Sequence, residues 1–295
     1  MTVYLQHFGL AEAPFGLTPD PGFVYARAAH QQALATLWLA LAEGEGYVRV
    51  RGEVGTGKTL LCRALLERLA GAGRRCAYLP NPALTPRQLL LALCREFDLA
   101  ADQRASAGAL QARLEHALLA GAGEGAAAVV CIDDAQAMPA PTLEALRLLS
   151  NLESAKRKLL QVVFFAQPEF DALLREPLLR SLDSRIGHAV ELPPLTRAEA
   201  ARYLDHRLLV AGWKGAPVFG AFARWLWHRA SAGVPRRLNV MAHKGLLLAY
   251  GGGRHRVGWR EAWWAWRDSR RPGASRWPAL PAWAARPTPI TEGKR

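Results

Sequence analysis

Apolar positions along the chain fall into two kinds of run. Short apolar or alternating runs at 47–51, 75–79, 126–132, 161–166 and 188–192 each read as a strand. Longer runs at 30–43, 60–69, 106–120 and 141–152 carry helical spacing. Gly44 and Gly46 stop the first of them, and Thr85 followed by Pro86 opens a further helix as N-cap and first helical residue. Apolar strands alternating with helices predict a parallel sheet covered on both faces, a three-layer αβα core. After Pro193 and Pro194 the strands cease. Residues 196–210, 218–230, 235–250 and 257–268 then read as helices. The division expected is 1–194 for the α/β part with an N-terminal arm, 195–269 for an all-helical part, and 270–295 for a flexible basic tail rich in Pro and Trp. In the first 25 residues Phe8, Phe15 and Phe23 alternate with Pro14, Pro19 and Pro21, which predicts an extended arm on a domain surface.

Composition narrows the class. Of 295 residues 51% are hydrophobic and 21% charged, which fits a folded protein rather than a disordered one. The longest apolar run, 33–42, is about half the length a membrane span needs. The chain opens without a basic segment leading into an apolar one, so a cytoplasmic location is expected. Cys62, Cys76, Cys94 and Cys131 lack the spacing of a metal clip or redox pair and read as buried free thiols. The net charge is +13, and residues 251–295 hold ten Lys or Arg against three Asp or Glu. That asymmetry suits a phosphate-bearing partner, and it equally suits a coding bias, because only six basic residues are Lys.

The strongest chemical signal is Gly52-x-x-x-x-Gly57-Lys58-Thr59, between a predicted strand and a predicted helix. Chance would supply on the order of 0.003 such matches in a chain of this composition. Glycines let backbone N–H groups wrap a phosphate, and the following helix adds its positive end. Lys58 suits the β- and γ-phosphates and Thr59 a Mg²⁺ ion. The expected ATP-binding set is Gly52, Glu53, Val54, Gly55, Thr56, Gly57, Lys58, Thr59 and Leu60, with Asp133. Val129 to Asp134 has the form of the matching second motif, in which a buried strand delivers Asp133 to the Mg²⁺. Thr59 and Asp133 are therefore the candidate metal ligands. Asp134 stands where many such ATPases carry a water-activating Glu, and is shorter by one methylene. It reads either as that base or as the cap of the next turn.

These motifs, with Phe8-Gly9-Leu10, Pro14-Phe15, Thr18-Pro19-Asp20-Pro21, the 25–30 stretch, Ile132 to Gln136, Ala166 to Glu169 and Gly233 to Asn239, resemble the AAA+ ATPases of the ExeA/GspA secretion type over residues 4–269. Within that family the likeness is to members serving MSHA pilus biogenesis. The resemblance implies a P-loop AAA+ core of five strands, a helical lid, and a homo-oligomer, ring or partial ring, with the site at the subunit interface. It implies that Gln167 links the γ-phosphate to the attacking water, although a polar strand end is the plainer reading. It makes Arg185 an arginine finger, with Arg180 as rival, and Arg236 the lid arginine, with Arg237 as alternative. The larger family members continue into a membrane span and a periplasmic peptidoglycan-binding part. Neither is found in these 295 residues, which favours the shorter pilus type, placed in the cytoplasm and peripheral at the inner membrane.

Nine of ten tryptophans follow residue 212. Trp259, Trp263 and Trp266 share one helical stripe and fit a lid core, whereas Arg260, Trp264 and Arg267 share another that fits bases, a membrane surface or a protein partner. Three functions follow. The first is an ATPase driving assembly of a type IV (MSHA-like) pilus or type II secretion machine, with inner-membrane assembly proteins as partners. The second is an ATP-dependent DNA-binding regulator of the transposition-ATPase type. The third is a nucleotide-gated subunit that barely turns ATP over.

Overall fold

A computed structural model describes residues 3–17, 23, 25, 27–121, 127–150 and 158–269. The segment Thr18 to Pro21 and the tail 270–295 lie outside the described residues, as do Ala26, Ala126 and the end of the helix expected to reach 152.

The elements follow the sequence pattern closely. A one-turn helix α1 (Leu5–Phe8) precedes α2 (Ala28–Ala42), β1 (Tyr47–Arg51), α3 (Lys58–Gly71), β2 (Cys76–Leu79), α4 (Pro86–Glu96) and α5 (Ala107–Gly121). Then come β3 (Ala128–Ile132), α6 (Ala140–Leu149), β4 (Leu160–Ala166), α7 (Glu169–Leu174), α8 (Arg180–Asp183) and β5 (Ile186–Glu191). The helical part holds α9 (Arg197–Val210), α10 (Ala221–Ser231), α11 (Pro235–Gly251) and α12 (Trp259–Ser269). Thr85 and Thr196 each close a capping box, with Gln88 and Glu199 respectively, so α4 begins where the sequence places its cap and α9 begins one residue after the start expected for it.

The five strands run parallel in the order β2-β3-β4-β1-β5. β3 and β4 are buried along their whole length, as expected for central strands of a covered sheet. Alternate residues serve opposite faces. Val48, Val50, Val163 and Phe165 pack against Leu37, Leu61 and Leu65 of α2 and α3. Tyr47, Val162 and Phe164 pack with Leu93, Leu114 and Leu146 of α4, α5 and α6. Cys62, Cys94 and Cys131 are buried and Cys76 partly so, all as free thiols. Among the described residues no helix is long and apolar enough to cross a membrane.

Three expectations need correction. Phe8 lies in α1, because Pro14 is too far along the chain to bar a single turn, which ends at Gly9 in the left-handed region at φ +60°. The arm does not lie on a surface. Tyr4, Phe8, Leu10, Phe15 and Phe23 are buried in the core of the helical part. The Tyr4 hydroxyl meets His243 Nδ1 at 2.9 Å, and Ala11 N–H donates to the Ala211 carbonyl at 2.8 Å. Finally, Trp266 is buried and Trp263 half-buried, but Trp259 is 38% exposed. Val257 is used up in a bridge to Phe219, so α12 starts only at Trp259, on its outer rim, and buries Ala262, Ala265 and the Arg254-paired Glu261 instead. Arg260, Trp264 and Arg267 are exposed, with Arg267 stacked over Trp264.

Candidate active site

β1 delivers the chain to the carboxyl edge of the sheet, where Gly52 N–H bonds to the Ala166 carbonyl of β4 at 3.1 Å. From there the loop turns back on itself. Thr56 is fully buried and its hydroxyl donates to the Glu53 carbonyl at 2.9 Å. Gly55 and Gly57 have φ of +84° and +102°, a region that favours glycine. Space imposes the same choice. A Cβ on Gly55 would stand 2.5 Å from Arg236 Cβ, and one on Gly57 would stand 2.7 Å from His30 Nε2. Lys58 begins α3 and folds its ammonium onto the carbonyls of Gly52 at 2.8 Å and Glu53 at 3.1 Å. Burial pushes its pKa down, and the carboxylates of Asp134 and Asp133 counter part of that.

The end of β3 faces the start of α3. Thr59 Oγ1 donates to Asp133 Oδ2 at 2.7 Å, and Asp134 N–H donates to Asp133 Oδ1 at 3.1 Å. Asp133 is only 5% exposed, and burial raises its pKa while the Thr59 bond lowers it. One hydroxyl and one buried carboxylate in contact are hard oxygen donors, the set that suits Mg²⁺. Asp134 sits in the left-handed region at φ +49°, which a short polar side chain tolerates. It heads a single 3₁₀ turn, yet its carboxylate makes no cap bond to that turn. Instead Asp134 Oδ1 accepts from Gln136 Nε2 at 3.1 Å and from Gln167 Nε2 at 3.4 Å. Gln136 Oε1 accepts from Gln167 N–H at 3.0 Å. The structure thus joins Asp134 to Gln167 directly, and braces both with a Gln136 to which sequence reasoning gave no role.

A cleft of about 250 Å³ opens above these groups, lined by Val54 to Leu60, Asp134 and Gln167 on one side and by Pro235 and Arg236 of α11 on the other. Pro235 is the first residue of α11 and sets the direction of Arg236 across Gly55. Arg237 does not line the cleft. Arg185 and Arg180 do not reach it either. Arg185 is exposed and directly precedes β5, whose Ile186 pairs with Tyr47 at the start of β1, the end away from the loop. Its charge acts on Tyr47 and Glu144 there.

The far side of the cleft went unread in the sequence. Phe23, Tyr25, Arg27, His30, Tyr203 and Asn239 line it. Tyr203 Oη donates to Asn239 Oδ1 at 2.9 Å, and Asn239 Nδ2 reaches back to the Gly16 carbonyl at 3.3 Å. Arg27 is 4% exposed, donates to the carbonyls of Pro193 at 2.9 Å and Pro194 at 3.4 Å, and pairs with Glu199 at 3.6 Å. It therefore ties the start of α2 to the junction between the two parts. Only the family segments at 25–30 and 233–239 hinted at these residues.

Comparison with known proteins bears on the whole arrangement. An AAA domain family model matches residues 40–174. General secretion pathway protein A of Aeromonas hydrophila is 42% identical over 255 residues, covering 86% of this chain and 46% of that protein, so the chain spans about half the length of its curated relative. Among solved structures, the ORC2 protein of Aeropyrum pernix, in ADPNP-ADP complexes, superposes with a TM-score of 0.64 at 19% identity, over 90% of this chain and 73% of that one. Cdc6p from Pyrobaculum aerophilum gives 0.65 at 15% identity, over 85% and 71%. At such identities the likeness to the two structures is one of fold alone.

Proposed function

We propose that this chain, similar to general secretion pathway protein A and matched over residues 40–174 by an AAA domain model, binds and hydrolyses Mg-ATP in this cleft. The observation that carries the reading is the 2.7 Å contact between Thr59 and Asp133, set beside Lys58 in a glycine loop whose geometry tolerates no side chain at Gly55 or Gly57. Residues Gly52 to Leu60 wrap the phosphates with backbone N–H groups. Lys58 exchanges the Gly52 and Glu53 carbonyls for the β- and γ-phosphate oxygens. Thr59 and Asp133 would hold Mg²⁺, which supplies charge neutralisation between those phosphates. Asp134 takes a proton from the attacking water, and Gln167, already bonded to Asp134, orients that water toward the γ-phosphorus. The water oxygen bonds to phosphorus as the bond to the β-phosphate oxygen breaks, leaving ADP and phosphate.

Arg236 reaches the γ-phosphate from α11, so that ATP draws the helical part onto the sheet. Arg185 serves as a finger on the nucleotide of a neighbouring copy in a homo-oligomer, ring or partial ring, with Arg180 as its rival. Its exposure at the edge remote from its own loop supports that assignment. The cycle drives assembly of a type IV (MSHA-like) pilus or type II secretion machine, by a protein peripheral to the inner membrane and in contact with inner-membrane assembly proteins. Steady-state ATP turnover, with Lys58→Ala as control and with and without duplex DNA, tests the reading. Turnover that Lys58→Ala abolishes and DNA leaves unchanged is expected. Stimulation by DNA would replace the assembly role with DNA-dependent regulation, and turnover indifferent to Lys58 would refute the site.

A further inference from the structure

The helical part carries a surface that the ATP reading does not use. Residues 212–269 hold ten Lys or Arg against two Asp or Glu. Both acids are held in ion pairs, Glu261 with Arg254 at 2.8 Å and Asp268 with Lys244 at 2.6 Å. The last helix, α12, gives this charge a direction. It buries Glu261, Ala262, Ala265 and Trp266 against the neighbouring helices, with the Ala262 carbonyl accepting from Trp227 Nε1 at 3.0 Å. At 3.6 residues per turn the opposite side reads, in order around an arc of about 140°, Trp259, Trp263, Arg267, Arg260 and Trp264. Two cations thus run down the middle of the outward face, and indole rings flank them on both sides. Trp264 is 49% exposed and both arginines are exposed.

That face suits an anionic lipid surface better than a nucleic acid. Single-stranded bases need open ring faces to stack on. Here guanidiniums lie over the rings, Arg260 at 5.3 Å from the centre of Trp259 and Arg267 at 5.1 Å from that of Trp264. Duplex backbones are held by Ser, Thr, Asn and Gln as well as by Arg and Lys, and the arc contains none of those four. A headgroup layer asks for what the arc does contain, cations for its phosphates and indole rings, which gather at membrane–water interfaces. The sequence beyond α12 keeps the same character, with six Lys or Arg, one Glu and two Trp in residues 270–295.

We propose that the outward face of α12 docks on an anionic phospholipid bilayer, with Arg260 and Arg267 on lipid phosphates and Trp259 and Trp264 seated beside them at headgroup depth. The helix lies on the membrane and does not span it. The proposal rests on the peripheral placement given above and names the surface and the lipid chemistry responsible for it.

The test is co-sedimentation of the full chain with vesicles of phosphatidylcholine alone and of equal parts phosphatidylcholine and phosphatidylglycerol. Binding to the mixed vesicles only is expected. Arg260→Gln combined with Arg267→Gln should weaken it about thirtyfold. Trp264→Ser, which leaves the charge intact, should weaken it about tenfold. ATP affinity should be the same in all three proteins, which reports that the substituted chains are folded. Mixed-vesicle binding that both variants retain would overturn the role of α12 and leave the peripheral placement standing. No vesicle binding by the unsubstituted chain would overturn both. Equal binding to neutral vesicles would overturn the lipid selectivity proposed. Tighter binding to duplex DNA than to mixed vesicles, lost in the double variant, would assign the face to a nucleic acid and overturn the proposal.

Discussion

The two halves of the cleft are built on different principles. The phosphate half comes from one uninterrupted stretch, Gly52 to Leu60, and the end of one strand at Asp133 and Asp134. Its shape is set mainly by the backbone, which at Gly55 and Gly57 takes conformations that favour glycine and leaves little room for a Cβ. The opposite wall gathers Phe23, Arg27, His30, Tyr203 and Asn239 from the arm, the start of α2, α9 and α11, and is built of side chains. Backbone chemistry demands fixed residue types at fixed spacing and so marks the sequence. Side-chain chemistry assembled across distant elements leaves no spacing to read.

Short of the loss of turnover expected in Lys58→Ala, the largest effect belongs to a residue in neither wall. If Arg185 acts on a neighbour's nucleotide, Arg185→Ala lowers turnover of the assembled protein by about a thousandfold and leaves ATP affinity unchanged. Turnover and affinity both untouched would show that Arg185 is not the finger and leave its rival Arg180. Next is Lys58→Ala, which removes a buried cation from the phosphate half and should weaken ATP binding by about a hundredfold. Calorimetric titration measures it, and retained affinity would show that the phosphate half lies elsewhere.

Asp134→Glu sharpens the division within the phosphate half. The longer carboxylate regains the usual reach, and turnover should rise about tenfold with affinity constant. A fall would instead mean that the Gln136 and Gln167 bonds to Asp134 fit the shorter side chain, and that the site is tuned around aspartate.

Legibility in the sequence followed the same division. β1 spans Tyr47–Arg51, residue for residue as the alternation predicts, and Thr85 caps the helix it announces. Runs flanked by glycine and proline are fixed by local sterics, so they can be read locally. α7 and α8 went unread because they are six and four residues long, too short for a helical period to show. The arm was read as surface because its burial depends on α9 to α12, which follow nearly two hundred residues later. Arg27, given no role of its own within the 25–30 stretch, is buried because the Pro193 and Pro194 carbonyls and Glu199 meet it there, a tertiary fact with no local signature.

The smallest effect tests whether the opposite wall is a framework as well as a lining. Tyr203 Oη donates to Asn239 Oδ1 and accepts from Arg207 Nη1 at 3.3 Å. Arg207 in turn bonds the Pro14 carbonyl and lies 4.6 Å from the centre of the Phe23 ring, and Asn239 bonds the Gly16 carbonyl. One hydroxyl thus joins α9, α11 and the arm behind the cleft. Tyr203→Phe keeps the ring and removes that hydroxyl, leaving a buried acceptor and a buried donor short of one bond each. Stability should fall by about 1–2 kcal/mol, seen as a lower denaturant midpoint with unchanged slope. ATP affinity should shift far less than in Lys58→Ala, because the Tyr203 hydroxyl spends its bonds on the protein and not on the ligand. A large loss of affinity at unchanged stability would reverse that assignment and make Tyr203 a ligand contact, with the Asn239 bond broken whenever the cleft is filled.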